Sequence, residues 1–137
     1  MGSRRQAREL ALQLLYQHEL TQTPLEEMQK HFEGWKRAST SVREFADSLV
    51  RGTLDNSGEI DEILEEQTSN WRLDRLAAVD RNILRLALFE LLHQEGTPAA
   101  VVIDEAIEVA KKFGAEESSR FINGVLDGFV KSRQKAV

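Results

Sequence analysis

The sequence predicts an all-α fold, a compact bundle of about seven helices. Apolar residues recur at the three-to-four-residue spacing of amphipathic helices, while β-branched residues are sparse and strict alternation is missing. The two prolines, Pro24 and Pro98, both stand where a helix can begin. We therefore expect helices at 4–21, 24–35, 41–56, 59–69, 78–94, 98–113 and 116–131.

The first predicted helix carries two apolar stripes, and Ser3 can serve as its N-cap. The stripe expected to face the core consists of Ala7, Ala11, Leu14, Leu15 and His18. A second stripe, Leu12, Tyr16 and Leu20, lies on nearly the opposite side. A peripheral helix with two apolar faces is either enclosed between neighbours or offers one face to a partner.

Proline marks the start of the second and the sixth helices. Thr23-Pro24 and Thr97-Pro98 each fit an N-cap followed by proline at the first helical position, where the missing N–H costs nothing. Between them, the fifth helix is apolar on almost every side, which predicts a place at the centre of the bundle. Within it, Glu90 is best interpreted as a hydrogen-bonded carboxylate at the edge of the core.

Glycines mark the end of the fifth and sixth helices and interrupt the seventh. Gly96 and Gly114 follow their helices as C-terminal caps do. Gly124 and Gly128 stand inside the seventh helix, where each costs about 1 kcal/mol relative to alanine. Close approach of another helix would explain that cost.

Length and composition fit one globular domain spanning residues 1–137, with 41% hydrophobic and 30% charged residues. No apolar run approaches the ~18 residues of a membrane span, and the polar start lacks a signal-peptide core. We therefore expect a cytoplasmic protein without membrane association. The net charge of −5 means that any nucleic-acid binding must come from a local basic patch.

The residues that catalysis or metal binding would need form no recognisable pattern. The chain has no cysteine, which excludes thiolate metal sites and cysteine nucleophiles. His18, His31 and His93 are far apart and form no HExxH motif, and no glycine-rich phosphate loop follows a strand. We expect no enzymatic activity, no metal and no cofactor.

Arginines crowd the first turns of helix one. Arg4, Arg5 and Arg8 stand where the helix dipole disfavours cations by about 0.3–1 kcal/mol. Contact with the phosphates of a nucleic acid is one reason for such an arrangement. From the residues alone, a solvated basic end is the favoured interpretation, and phosphate binding is the alternative.

A second candidate lies at the start of the last helix. Glu117 suits the positive end of the helix dipole. Arg120 and Phe121 pair a cation with an aromatic ring that can stack on an unpaired base. Taken alone, Phe121 is more often a core residue, so this pair is a weak indication.

Three segments of the chain resemble the NusB family. The first is residues 4–9, RRQARE, leading to LYQ at 15–17; the second is VDRNILRLALFEL at 79–91. The third combines EAIEVAKKFG at 105–114 with FINGVLD at 121–127, a pattern that chance rarely produces. The resemblance covers nearly the whole chain and is looser between about 24 and 70.

This resemblance implies an all-α fold of two helical subdomains and binding to single-stranded boxA RNA from ribosomal RNA operon transcripts. It also implies a protein partner, the ribosomal small-subunit protein called NusE when it serves transcription. In that family, the pair bound to boxA joins a complex that lets RNA polymerase resist termination. The implied function is transcription antitermination.

The resemblance also assigns roles to residues at matching positions. The RNA contacts that it implies are Arg4, Arg5, Arg8, Glu117, Arg120 and Phe121. Gln6 stands where some relatives have another arginine, so one contact is expected to be weaker here. Tyr16 and Asp80 match the surface that receives NusE, and for Tyr16 this agrees with the apolar stripe that also contains Leu12 and Leu20.

Two alternatives remain at this point. The same fold is similar to the N-terminal RNA-binding domain of bacterial ribosomal-RNA cytosine methyltransferases, although we expect no methyl-donor domain in a chain of this length. The other alternative is a helical protein-interaction scaffold that never touches RNA. An exposed stripe on helix one also permits a homodimer when no partner is present.

Overall fold

A computed structural model describes residues 2–68, 73–94 and 96–135, and the all-α prediction is confirmed there. A 3₁₀ turn at Leu73–Arg75 precedes the sixth α-helix. The α-helices are α1 Gly2–Thr21, α2 Leu25–His31, α3 Glu33–Arg37, α4 Thr40–Asp55, α5 Ser57–Gln67, α6 Ala78–His93, α7 Ala99–Phe113 and α8 Ser118–Lys135.

The predicted helix at 24–35 is two short helices, because Phe32 has an extended backbone between them (φ −95°, ψ 110°). Phe32 and Trp35 both pack against the core, and burying these two rings favours a change of direction over a continuous helix. The last helix begins at Ser118 rather than at 116 and continues to Lys135. Residue 69, the predicted end of the fourth helix, lies outside the described residues.

The two prolines occupy the N-cap position rather than the first helical position that the sequence predicts. Pro24 and Pro98 are themselves the N-caps, with ψ values of 142° and 145°, so helical geometry starts at the next residue. Their carbonyls accept the first helical hydrogen bonds, from Met28 and Val102, at 3.1 Å each. Thr23 and Thr97 are therefore not the caps, and neither helix has a side-chain cap.

Helix α6 occupies the centre, as its apolar surface predicts, and packs against α1, α4, α5, α7 and α8. The most extensive helix pairings are α1 with α4 and α7 with α8, and α6 joins the two pairs. A small core cluster lies between α1 and α4 and is formed by Ala7, Leu10, Ala38, Val42 and Ala46. The large cluster surrounds α6, and partly buried Phe32, Trp35 and Phe45 contact both.

Close packing requires glycine at one helix crossing, that of α4 with α6. A Cβ atom on Gly52 would lie 2.1 Å from Cζ of Phe89, which is itself buried. The prediction for the last helix is wrong at Gly124, which is exposed and has open space around its Cβ position. At Gly128 the nearest group is the Gln67 side chain, 3.3 Å away, rather than a closely packed helix backbone.

None of the helices in the described ranges combines the length and apolarity that crossing a membrane requires.

Replacing Gly52 with alanine is expected to destabilise the fold by about 1–3 kcal/mol, because the rigid Phe89 ring cannot move away without disturbing α6. Urea unfolding followed by far-UV circular dichroism measures this difference. The matched control is Gly124→Ala, where the added methyl group meets nothing and helix propensity should raise stability by about 1 kcal/mol. Equal effects of the two substitutions would contradict this account of Gly52.

Candidate nucleic-acid interface

The first turns of α1 expose two of the three predicted arginines. The Arg4 guanidinium lies over the Phe45 ring of α4, 4.0 Å from the ring centroid, a cation–π contact that orients the side chain. Arg5 donates from Nε and Nη2 to the two carboxylate oxygens of Glu105 on α7, at 3.1 and 2.8 Å. Both arginines remain exposed at the surface.

Arg8 does not belong to this exposed set, which corrects the prediction that it contacts RNA. It is only 5% exposed and donates from Nε and Nη2 to the Glu90 carboxylate at 2.9 and 2.8 Å. Burial alone would lower the pKa of Arg8, but the hydrogen bonds and charge of Glu90 outweigh it and the pKa is raised. The interpretation of Glu90 as a hydrogen-bonded carboxylate is confirmed.

Helix α7 lies beside the first half of α1 and is held there by ion pairs. Glu105 contacts Arg5, and about two turns further along α7 the Lys112 ammonium lies 2.9 Å from the Glu9 carboxylate. Soon after Lys112 the chain turns into α8. The arginines of α1 and the start of α8 therefore both border α7.

The turn into α8 is tight. A Cβ atom on Gly114 would lie 2.7 Å from the Ser118 side chain, so glycine permits this close approach. The Ser118 hydroxyl accepts a hydrogen bond from the Ala115 N–H at 2.9 Å. Glu117 is exposed in the turn just before α8, rather than in its first turn as predicted.

Beyond the turn, the first exposed residues of α8 include a cation and part of an aromatic ring. Arg120 is exposed, while Phe121 is half-buried and packs against the large core cluster. Within the described ranges, neither Arg4 nor Arg120 has a carboxylate oxygen within 4.0 Å. These two cations are consequently available to an anionic ligand.

The apolar stripe of α1 is only partly exposed, and the prediction for Leu12 is wrong. Leu12 is 2% exposed and belongs to the large core cluster, because α4, α6 and α7 enclose this part of α1. Tyr16 is half-buried, and Leu20 is 60% exposed. The stripe thus emerges from the core towards the C-terminal end of α1.

A charged cluster that the sequence did not reveal connects this end of α1 to the start of α6. The Glu19 carboxylate accepts hydrogen bonds from Arg81 and Arg85, and Arg85 also pairs with Asp61 of α5 at 2.8 Å. Hydrogen bonds from Arg81 lower the pKa of Glu19; burial opposes this, and Arg85 adds to the lowering. The network links the C-terminal end of α1 to α5 and α6.

Two of the predicted partner residues are chain neighbours of this network. Glu19 precedes Leu20, and its partner Arg81 follows Asp80. Asp80 is half-buried, and its Oδ1 atom is buried without a hydrogen-bond donor among the described residues. Leu20 and Asp80 therefore adjoin the two members of the Glu19–Arg81 ion pair in the chain, and the half-buried Tyr16 lies about one turn before Leu20 on α1.

These two surfaces offer cations, a partly exposed ring and an apolar patch, which suit binding. A search of the described ranges shows no group of three or more histidine, cysteine, aspartate or glutamate side chains arranged to hold a metal ion. Sequence reasoning missed Glu105 because its position beside the apolar stripe of α7 does not indicate which arginine it meets. The one sequence feature that could have identified Glu105 is its place next to the apolar stripe of α7.

A family model described as the NusB family matches residues 5–131. The chain belongs to the NusB family. It is 46% identical over 136 residues to the transcription antitermination protein NusB of Elusimicrobium minutum (strain Pei191), covering 98% of this chain and 97% of that protein.

Solved NusB structures have the same fold. A structure of T. maritima NusB is similar with a TM-score of 0.85 and 39% identity, over 93% of this chain and 90% of that chain. A chain in the crystal structure of antitermination factors NusB and NusE in complex with dsRNA gives a TM-score of 0.86 at 31% identity. That match covers 96% of this NusB-family chain and 98% of the solved one.

The buried ion pair of this NusB-family chain yields a prediction about stability. Arg8→Met leaves the Glu90 carboxylate buried without its main partner and should cost about 3–5 kcal/mol in the free energy of unfolding. The double variant Arg8→Met/Glu90→Leu replaces both charges with apolar groups and should recover most of that loss. Urea unfolding of the wild-type chain, of Arg8→Met and Glu90→Leu alone, and of the double variant measures the coupling. Losses that simply add would show that the two side chains act independently.

Proposed function

We propose that this chain is a transcription antitermination factor that binds boxA RNA of ribosomal RNA operon transcripts together with the ribosomal protein NusE. In this proposal, the assembly acts on RNA polymerase as part of an antitermination complex. The observation that carries it is the similarity, over 96% of the chain, to NusB in a structure that also contains NusE and RNA. The geometry of the two candidate surfaces supports it.

The RNA-binding half of the proposal rests on the residues that border α7. Arg4 and Arg120 are exposed cations, and phosphate oxygens are suitable partners for guanidinium groups. Arg5 becomes a third phosphate-binding cation if its guanidinium separates from the Glu105 carboxylate. Such contacts position an RNA strand without reading its sequence.

In this proposal, side chains at the start of α8 recognise the RNA sequence. The exposed part of the Phe121 ring can stack on a splayed base, as aromatic side chains do in single-stranded RNA recognition. Glu117 lies four residues earlier and is exposed, so its carboxylate can accept from a base amino group.

The NusE-binding half rests on Tyr16, Leu20 and Asp80. An exposed leucine beside a half-buried tyrosine forms the apolar centre of a small interface, and the Asp80 carboxylate provides a polar edge. Leu12 supports this surface from the core. When one protein and one RNA bind at linked sites, their combined affinity exceeds that of either site alone.

The test of this function is a fluorescence-anisotropy titration with boxA RNA and with a scrambled RNA, each with and without NusE. We expect modest affinity for boxA alone and much tighter binding with NusE. Arg4→Ala and Arg120→Ala should each weaken binding and make the slope of log K against log salt shallower by about 0.7, the loss of one phosphate contact to a single strand.

The matched control for these variants is Arg133→Ala. Arg133 is also exposed on α8, but 13 residues after Arg120, which is about 20 Å along the helix, and it should leave the slope unchanged. If neither condition shows a preference for boxA over the scrambled RNA, the antitermination proposal fails. That result would favour the protein-interaction scaffold.

The partner surface is tested by measuring NusE binding directly, without RNA. Leu20→Asp places a charge at the apolar centre and should weaken NusE binding by about tenfold or more, the effect expected at an interface hot spot. Ala100→Asp adds the same charge at an exposed position of α7 and should leave the affinity unchanged. Equal affinities for both variants would place the NusE surface elsewhere.

A further inference from the structure

The guanidinium of Arg5 already has an anion bound to it. Its Nε and Nη2 atoms donate to the two oxygens of Glu105, at 3.1 and 2.8 Å, in the two-pronged geometry with which arginine binds carboxylate and phosphate alike. In this respect Arg5 differs from Arg4 and Arg120, which have no carboxylate within 4.0 Å in the described parts of the chain. Among the predicted phosphate-binding arginines at the surface, Arg5 is the one whose Nε–Nη2 edge is occupied by a carboxylate of the described residues.

Of the two partners, Glu105 is the fixed one. Its side chain is 16% exposed against 47% for Arg5, and its Oε1 atom also lies 3.7 Å from Nη1 of Arg8. Arg8 is in turn held by Glu90 in the core. The hydrogen bond from Arg5 lowers the pKa of Glu105 despite its burial, and the charges of Arg5 and Arg8 add to this effect. The carboxylate is therefore ionised at neutral pH.

There is space for another anion beside this pair. A surface cavity of about 600 Å³ opens between the start of α1 and the start of α7, and Arg4, Arg5, Pro98, Val101 and Glu105 contribute to its lining. A phosphate group of a nucleic acid is small enough to enter this cavity, which the Arg5 side chain lines. Glu105 occupies the Nε–Nη2 edge of Arg5, so a phosphate that binds this edge through two parallel hydrogen bonds must displace the carboxylate.

We propose that Glu105 is an internal competitor for RNA phosphate at Arg5, a carboxylate that lowers the affinity of the arginine cluster for any phosphate backbone. The proposal rests on the function proposed above, since it assumes that the cluster binds RNA. A competitor of this kind weakens phosphate binding by the same factor for every sequence, because phosphates carry no sequence information. Tight binding then depends on contacts made elsewhere, by base-reading residues and by the protein partner.

Glu105→Gln tests this proposal because it keeps the shape of the side chain and removes its charge. We expect the variant to bind both boxA RNA and oligouridine about threefold to tenfold more tightly than the wild-type chain, the range for a two-pronged ion pair at a surface. The slope of log K against log salt should steepen by about 0.7, the gain of one phosphate contact. Fluorescence anisotropy at several salt concentrations measures both quantities.

Three further variants separate the specific contact from the general loss of negative charge. Glu108→Gln removes the same charge one turn further along α7, where the carboxylate pairs with Lys111, and should change RNA affinity much less. In an Arg5→Ala background, Glu105→Gln should have no effect, because the competitor has no arginine to occupy. Glu105→Asp keeps the charge but shortens the side chain, so it loosens the pair and should tighten binding to an intermediate degree.

Several results would overturn the proposal. Unchanged or weaker RNA affinity in Glu105→Gln contradicts it, as does tightening that persists when Arg5 is alanine. Tightening confined to boxA would show that Glu105 acts on a base instead. If the wild-type chain shows no preference for boxA, the function proposed above fails, while the oligouridine comparison still decides the role of Glu105.

Discussion

The ion pair between Arg8 and Glu90 joins the first helix to the central helix inside the core, and the arrangement of the arginines at the start of α1 depends on it. Each charge is stable there only because the other is present, since an isolated charge in an apolar environment costs several kcal/mol. The pair therefore sets how α1 lies on α6. Arg4 and Arg5, one turn earlier, project into solvent as a consequence, and Glu105 lies against both Arg5 and Arg8.

Helix α1 contributes to both binding surfaces at opposite ends. Arg4 and Leu20 are 16 residues apart, which is about 24 Å along a helix, so an RNA strand and a protein partner can occupy the two ends simultaneously. Two charged networks hold these ends in place. Arg8, Glu90 and Glu105 secure the first, and Glu19 with Arg81 and Arg85 secures the second. A single helix thereby joins the two candidate surfaces.

Charged residues of the same type lie both in the core and on the candidate RNA surface of this molecule, and burial distinguishes the two groups. Arg4 and Arg8 are four residues apart and look equivalent in the sequence, yet one lies over an aromatic ring at the surface and the other is enclosed with a carboxylate. Arg5 is intermediate, exposed but already paired. The net charge of −5 is compatible with RNA binding because the cations near α7 form a local patch.

Local patterns in the sequence determined the all-α class, most helix boundaries and the central place of α6, because helix periodicity and apolarity act within a few residues. The family motifs identified the segments that carry function. Only the tertiary structure decided that Arg8 and Leu12 are buried, that Phe32 divides a predicted helix and that Gly124 faces open space. It also brought Glu105 to Arg5, 100 positions away in the chain. Such outcomes depend on which helices pack together, and no spacing along one helix records that choice.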